Sequence, residues 1–285
     1  MALPFFNKSG SDKQEMSFID HLEELRWHIV RSLLAILVCA VLIFVFQDFV
    51  FDKIILGPMS KDFVTYTSLC RFSNWAGIGD ALCIPAPTVA LQGTTFGTQF
   101  MSSITIAFVG GFILAFPFIF WEIWRFIKPA LNAKELRSAR GGIFWVSLFF
   151  FTGAAFGYFV LAPFTFSFLA NFKLGTQMII ETKPTLADYI ENLTNIILGT
   201  GIAFQLPIVS FVLTRIGLIT PRFLRTYRKY ALVAILVIAA IITPSPDWMS
   251  QMIVFTPLFI LYELGILISV RVHKGNLRRE QEEWG

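Results

Sequence analysis

Long runs of apolar residues, separated by shorter polar segments, divide most of this chain. A helix of about 20 apolar residues crosses the hydrocarbon core of a membrane, which is about 30 Å thick. A transmembrane β-barrel would instead show alternating segments of about 10 residues. The pattern therefore predicts an all-α polytopic membrane protein with six transmembrane helices, of which the fifth and sixth are short. The predicted spans are residues 28–49, 101–121, 142–162, 190–213, 230–243 and 248–270.

The polar segments predict one membrane domain over residues 17–274, with tails at 1–16 and 275–285. Ser17 and Asp20 form a capping-box pattern that starts the first helix, and Pro163 is expected to end the third span. The fifth run has 14 residues, a length of only about 21 Å as a helix. Either the bilayer thins around it, or runs five and six form a shallow hairpin. An ordinary hydrocarbon thickness measured there would count against thinning.

The distribution of Lys and Arg residues along the chain predicts its orientation in the membrane. Five Lys or Arg residues follow span two, five follow span four, and four lie in the C-terminal tail. By the positive-inside rule both termini are cytoplasmic, and the first long loop, with Cys70 and Cys83, lies outside. A disulfide between them and two unpaired thiols both remain open. Only 15% of the residues are charged, against about 25% in soluble domains. The net charge of +4 reflects these basic loops and gives no argument for nucleic acid.

An acidic cluster just before the first span is out of pattern, because a cytoplasmic edge normally favours Lys and Arg. Glu24 is four residues from His28 and Glu23 three from Arg26, so both acids are also compatible with ordinary pairs on a helix surface. Glu135 has an ordinary interpretation too, as the N3 partner of a helix cap. The predicted topology puts Glu24 and Glu135 on one membrane face. Two carboxylates there suit two guanidinium groups, which they bind in bidentate fashion.

Two polar residues interrupt the later spans. Gln205 lies near the middle of the fourth span, beside Pro207, which is expected to kink the helix. It is interpreted as a contact for a partner helix or a passing chain, or as an internal hydrogen bond between helices. Glu263 in the sixth run is interpreted either as a functional acid or as an internally paired one.

Enzyme chemistry finds little support in the sequence. The three histidines are His21, His28 and His273, and no metalloprotease, hydrolase, redox or P-loop motif occurs. The sequence therefore predicts no catalysis, no metal and no cofactor. An ion-coupled small-solute transporter is the alternative function. It is weakened because Glu263 is the one clear ionisable residue well inside a predicted span.

Six segments in order resemble landmarks of the TatC family, the integral subunit of the twin-arginine protein translocase. The match extends from about residue 16 to 274. The segments are His21-Leu22-Glu23-Glu24-Leu25-Arg26, the loop from Trp124 through Pro129 and Leu131 to Glu135, Phe156 to Pro163, Phe204-Gln205-Leu206-Pro207, Thr243 through Asp247 to Gln251, and Tyr262-Glu263-Leu264-Gly265.

The resemblance implies a receptor in the bacterial inner membrane for the twin-arginine signal peptides of folded precursors. It implies recognition on the cytoplasmic face by Glu24 and Glu135, with Phe126 and Leu131 shaping the same patch. Partners of the TatA/TatB type, an oligomeric complex and transport driven by the proton-motive force are implied as well. Further family landmarks fall on His21, Leu22, Arg26, Pro58, Pro129, Pro207 and Asp247.

The chain also departs from the family pattern. Gln205 stands where the family often has Glu, so an ionisable group is missing from the fourth span, although an amide still donates and accepts. Asn132 replaces a commoner aromatic residue. The first outside loop is longer than usual, by about residues 63–91, and this insertion carries the two cysteines.

Overall fold

A computed structural model describes residues 18–77, 79, 83–87, 89–127, 141–172, 183–243 and 248–284. For 18–22, 249, 276–280 and 282–284 it describes the backbone only. The described chain is mainly helical, because a helix satisfies its own backbone hydrogen bonds in an apolar environment. The helices are α1 Phe18–Val45, α2 Gln47–Phe49, α3 Val64–Trp75, α4 Thr98–Ile127, α5 Gly142–Phe156, α6 Ala162–Asn171, α7 Leu186–Ala203, α8 Leu206–Arg215, α9 Pro221–Thr226, α10 Arg228–Ile242 and α11 Trp248–Trp284.

Five segments are long and apolar enough to cross a membrane, and they correspond to predicted spans one, two, three, four and six. They are Glu23–Val45, Thr98–Ile127, Gly142–Asn171, Leu186–Arg215 and Ser250–Gly275. The predicted fifth span is α10, whose 15 residues measure about 22 Å. The prediction that the sixth span is short was wrong. Its apolar part alone has 26 residues, and α11 continues to Trp284, past the predicted boundary at 274.

The prediction that Pro163 ends the third span was also wrong. A π-helical turn, Gly157–Leu161, follows α5, and the chain continues directly into α6. Pro163 lies at the start of α6, directly after this turn. It cannot donate to a carbonyl one turn earlier, but the Phe159 carbonyl accepts from the Thr65 hydroxyl instead, and the helical segment reaches Asn171.

The fourth span is divided at Phe204 and Gln205 into α7 and α8. Pro207 lies in the first turn of α8, so its ring does not clash with a preceding helical turn. The Gln205 carbonyl accepts from the backbone N–H groups of Ile208 and Val209, both at 3.0 Å. The expected interruption at Pro207 therefore has the form of a helix restart.

Close approach between helices depends on small residues. α1 packs along α4, and a Cβ on Gly111 would lie 2.8 Å from the backbone nitrogen of Ala40 and 2.9 Å from the carbonyl oxygen of Ile36. α5 meets α7 in the same way, because a Cβ on Gly153 would lie 2.6 Å from the Thr200 carbonyl oxygen. Such contacts are how helices associate when lipid removes the hydrophobic driving force between them.

Beyond the far end of α1, three tyrosines donate to backbone carbonyls of the short helical turns that follow α2. A π-helical turn, Val50–Ile55, and a 3₁₀ turn, Gly57–Met59, follow α2. Tyr158 donates to Ile54 at 2.7 Å, Tyr189 to Ile55 at 2.6 Å, and Tyr66 to Pro58 at 2.8 Å. Burial raises the pKa of Tyr66 above its ordinary value, so this phenol remains a neutral donor.

The first long loop is tied to this far end. A disulfide joins Cys70 in α3 to Cys83, while Cys39 in α1 is a free thiol. The carbonyl of Pro85 accepts from the Ser167 hydroxyl at 2.6 Å. Farther along, Gln92 and Leu186 form a backbone hydrogen bond of 2.9 Å. The long loop is thus anchored to α6 and to the start of α7.

Candidate functional site

The sequence-predicted acid Glu24 lies on the first turns of α1 and is half-buried, while its neighbour Glu23 is exposed. His28, one turn later, is paired with an acid on α4 instead of with Glu24. Among the residues that the structure describes, no ion pair joins Glu24 to His28 or Glu23 to Arg26. The ordinary interpretation of Glu24, as the partner of His28 in a surface ion pair, is therefore not what the structure shows.

The acid on α4 is Glu122, which is 1% exposed. Its Oε2 lies 2.6 Å from Nδ1 of His28, and a carboxylate only accepts, so the ring nitrogen donates. Nη1 of Arg125 donates to Oε1 at 3.2 Å, and Nη1 of Arg31 lies 3.8 Å from Oε2. These four residues, called the Glu122 cluster below, join the beginning of α1 to the end of α4.

Sequence reasoning missed Glu122 as a functional residue. The predicted second span ended at residue 121, so Glu122 was counted with the polar loop that follows. The helix in fact continues to Ile127, and Glu122 faces α1 within it. One signal was available in the sequence. Glu122 and Arg125 are three residues apart, a spacing at which helical side chains meet.

Phe126, predicted to shape the site, lies one turn after Glu122 and is half-buried. Its ring is edge-on to the His28 ring, with centroids 6.0 Å apart. α1 and α4 are antiparallel, with Gly111 against Ala40 and Glu122 against His28. Continuing this register by one turn brings Glu24 to the level of Phe126. The two predicted residues thus belong to the same end of the helix pair.

The other sequence-predicted positions differ in what the structure describes. His21 and Leu22 lie on the described backbone of α1, and Arg26 is exposed on the same helix. Glu135, Leu131, Pro129 and Asp247 lie outside the described residues.

An apolar groove of about 420 Å³ lies beside the second half of α4, and none of the four residues of the Glu122 cluster lines it. Its walls come from α4, α5 and α8, and they include Phe116, Phe120, Trp124, Val146, Ile208 and Val212. Gln205 also lines the groove, and its Nε2 donates to the Val146 carbonyl at 3.2 Å. The predicted intramembrane amide therefore binds α5 and at the same time borders the groove.

Glu263 on α11 is paired with Arg228 at the beginning of α10. Nη2 of Arg228 donates to Oε2 at 2.9 Å. Nε lies 2.9 Å from Oε1, but without the alignment of a hydrogen bond, so that second contact is an ion pair only. The neighbouring Tyr262 hydroxyl donates to the Leu224 carbonyl at 2.7 Å. Glu263 thus holds α10 against α11, on a different part of the molecule from Glu122.

Among the described residues, no group of three or more His, Cys, Asp or Glu side chains is arranged to hold a metal ion. The polar chemistry described at the α1–α4 end consists of carboxylates, guanidinium groups and one imidazole. This set binds charged partners through ion pairs and hydrogen bonds.

Comparison with known proteins gives a consistent result. The family model "Sec-independent protein translocase protein (TatC)" matches residues 20–257. A Sec-independent protein translocase protein TatC from Blattabacterium sp. subsp. Periplaneta americana (strain BPLAN) is 37% identical over 267 residues, covering 93% of this chain and 98% of the relative. One from Deinococcus radiodurans is 34% identical, covering 92% of this chain and 88% of the relative.

Solved structures agree with these relatives. A crystal structure of the twin arginine translocase receptor TatC is 33% identical, with a TM-score of 0.67, covering 88% of this chain and 99% of that one. A second crystal structure of that receptor, in DDM, is 32% identical with a TM-score of 0.69, covering 87% of this chain and 99% of that one.

Proposed function

Because this chain belongs to the TatC family of Sec-independent protein translocase proteins, we propose that it is the receptor subunit of a twin-arginine translocase. In this proposal the chain binds the twin-arginine signal peptides of folded precursors at the cytoplasmic face. Glu24 and Glu135 bind the two guanidinium groups, and Phe126 and Leu131 shape the patch around them. The chain acts by binding and has no catalysis of its own.

The observation that carries the proposal is the joining of α1 to α4 at the end where Glu24 lies. Glu122 pairs with His28 across the two helices, and the ring of His28 contacts that of Phe126. A half-buried carboxylate is therefore presented beside an aromatic side chain on a fixed helix pair. The α4 helix leads into the segment that carries Glu135.

The chemistry favours arginine over lysine. A guanidinium group is planar and offers parallel N–H donors that match the two oxygens of a carboxylate. Lysine presents a compact ammonium group without this fork, so an Arg-to-Lys change at such a site is not conservative. Two carboxylates that each bind one guanidinium group explain a preference for a pair of adjacent arginines.

The apolar groove supports the same proposal. It is bordered by α4, the helix that also carries Glu122 and Phe126, and apolar side chains make up nearly all of its lining. The signal peptides implied by the family carry Phe and Leu after the arginine pair, with one residue between. Burying these side chains in the groove contributes about 25 cal/mol for each Å² of apolar surface removed from water. Gln205 offers a hydrogen-bonding contact along this path.

The remaining parts of the proposal concern arrangement in the cell. Both termini lie in the cytoplasm, residues 17–274 form one membrane domain, and the protein resides in the bacterial inner membrane. The basic segments after the second and fourth spans support this orientation. Single-span subunits of the TatA/TatB type assemble with it in an oligomeric complex, and the proton-motive force drives export.

Site-specific crosslinking tests the proposal. A photoreactive amino acid is placed at position 24 or at position 135 of the full chain in membranes, one at a time so that the other carboxylate is kept, and a precursor carrying Arg-Arg or Lys-Lys is added. We expect strong labelling of the Arg-Arg precursor and weak labelling of the Lys-Lys precursor, because only arginine forms the bidentate bonds.

Position 23 is the matched control. It lies next to Glu24 but points to another side of α1 and is exposed, so we expect weak labelling there. Equal labelling of the two precursors from positions 24 and 135 would defeat the recognition hypothesis.

A further inference from the structure

Glu122 is the only charged side chain among the described residues that is fully buried. Burial of a carboxylate is costly unless it is paired. A single cation would compensate its charge, but here the carboxylate has three basic partners. Two permanent cations, Arg31 and Arg125, and the imidazole of His28 surround a single negative charge. The function proposed above uses the Glu122–His28 pair to join α1 to α4 and assigns no role to the two arginines.

The two arginines do not depend on Glu122 for their solvation. The side chains of Arg31 and Arg125 are each 48% exposed, so water reaches both guanidinium groups. Their exposed charges therefore act on the surroundings of the cluster unless Glu122 compensates them. One carboxylate compensates one of the two arginine charges in full.

The cluster lies one helical turn from the proposed recognition patch. Glu24 precedes His28 by four residues on α1, and Phe126 follows Glu122 by four residues on α4. One turn is about 6 Å along the helix axis, which is shorter than the Debye length of about 8 Å at physiological ionic strength. The charges of the cluster therefore interact electrostatically with a ligand bound at Glu24.

We propose that Glu122 is a positioning residue for signal-peptide recognition, with two effects on the same patch. It holds the His28 ring against Phe126, which fixes α1 relative to α4. It also offsets the positive charge of Arg31 and Arg125, so that the patch attracts the guanidinium groups of an incoming leader. This inference rests on the proposed function. It assigns to Glu122 the role of keeping the patch at Glu24 attractive to cations although two arginines lie nearby.

The electrostatic effect separates this role from simple packing. With Glu122→Gln the amide still fills the same volume and still accepts a hydrogen bond, but the charge is lost. Arg31 and Arg125 then repel a cationic peptide, and this repulsion weakens with added salt. Removing one of the arginines in the same chain removes part of the repulsion.

The test measures the Kd of a synthetic Arg-Arg leader peptide for the full chain in lipid nanodiscs, at low and high salt. For Glu122→Gln we expect Kd to rise about tenfold at low salt and clearly less at high salt. The additional change Arg125→Gln is expected to recover most of the lost affinity. Glu263→Gln removes the acid of the distant Arg228 pair and serves as a control that leaves Kd unchanged.

Arg31→Gln in the otherwise native chain provides a second measurement that does not disturb the buried acid. Arg31 is half-exposed and lies farthest from the Glu122 carboxylate of the three basic groups. We expect its removal to lower the Kd of the Arg-Arg peptide, because one repelling charge is gone. A raised Kd would contradict the inference, even if Glu122→Gln does not fold.

The outcomes separate this inference from the proposed function. If the native chain binds Arg-Arg and Lys-Lys peptides equally, the proposed function fails. If the native chain prefers Arg-Arg and Glu122→Gln keeps the native Kd, only the inference on Glu122 fails. A loss that is the same at both salt concentrations, and that Arg125→Gln does not recover, would mean a purely structural role and would overturn the charge argument.

Discussion

Two polar side chains in the apolar interior, Glu122 and Gln205, are satisfied in different ways. Glu122 accepts a hydrogen bond from His28 on α1 and one from Arg125 on α4, and the guanidinium group of Arg31 lies nearby. Gln205 donates to the Val146 carbonyl at 3.2 Å and to the Gly201 carbonyl at 3.5 Å, and it borders the apolar groove. In the Glu122 cluster the carboxylate and its basic partners compensate each other, so loss of the cluster leaves an uncompensated charge. Gln205 can still form a hydrogen bond to another partner.

Two substitutions of Gln205 separate the effect of its donated hydrogen bond from the effect of a charged side chain at this position. We expect Gln205→Leu to lower the free energy of unfolding by about 0.6 kcal/mol, the average value of one hydrogen bond between transmembrane helices. Gln205→Glu at pH 8 is expected to cost more, about 1–3 kcal/mol, because an ionised carboxylate not only loses the donated bond but also places an unpaired negative charge against the Val146 carbonyl. Thermal unfolding in detergent measures both variants.

Val209→Leu is the control for this pair. Val209 lies on α8 one turn after Gln205 and is exposed on the helix surface, so a change of one methylene group there should leave the unfolding temperature nearly unchanged. A Gln205→Leu protein as stable as the native chain would show that the donated hydrogen bond contributes nothing, and a Gln205→Glu protein as stable as Gln205→Leu would show that the charge adds no cost.

At the scale of elements, the helix pair α1 and α4 depends on backbone proximity. Gly111 lets the two helices approach until a Cβ would meet backbone atoms of α1. The same register carries the Glu122–His28 pair at the end of the helices. A larger residue at Gly111 therefore affects both the packing of the pair and the geometry of the candidate site.

We expect Gly111→Ala to destabilise the protein by about 1–3 kcal/mol, the usual cost of overpacking, although alanine is the better helix former. The variant should also raise the Kd for an Arg-Arg peptide, since α1 moves relative to α4. Gly142→Ala is the matched control, because a Cβ there meets nothing within 4 Å. Equal stability of the two variants in thermal unfolding would refute the close-approach argument.

At the scale of the whole molecule, the two ends of the helix bundle have different constructions. The α1–α4 end carries ion pairs, an aromatic contact and a groove. The far end is held by tyrosine hydrogen bonds to backbone carbonyls and by the Cys70–Cys83 disulfide. α10 is shorter than the five helical segments that are long and apolar enough to cross a membrane, and it is joined to α11 by the Arg228–Glu263 pair.

Removal of the disulfide should loosen the first loop and leave the spans intact. The bond closes a loop with a separation of 13 residues, and a loop of this size contributes about 3 kcal/mol in the chain-entropy model. In a Cys70→Ser, Cys83→Ser double variant we expect trypsin to cut at the exposed Arg71 up to about 100-fold faster. Peptide binding at the α1–α4 end should not change.

Cys39→Ser controls for thiol loss, because Cys39 is free and lies in α1. Its trypsin cleavage should match that of the native chain. Cleavage of the double variant at the native rate would mean that the tyrosine hydrogen bonds and backbone contacts alone hold the loop.

The sequence by itself determined the helical class, four of the five long spans within a few residues at most ends, and the interruption at Pro207. Each of these depends on local features, namely the length of an apolar run and the chemistry of one proline. The same local rules failed at Pro163, because they did not predict the π-helical turn that lets the helix continue. They also ended the second span before Glu122 and so placed this acid in a loop.

Only the tertiary structure decided which charged groups meet. His28 and Glu122 are 94 positions apart, and their contact follows from the antiparallel register of α1 and α4, which close approach at Gly111 makes possible. The same holds for Gln205 with Val146 and for Arg228 with Glu263. Spacing along a chain predicts partners within one helix, whereas partners on different helices depend on how those helices pack.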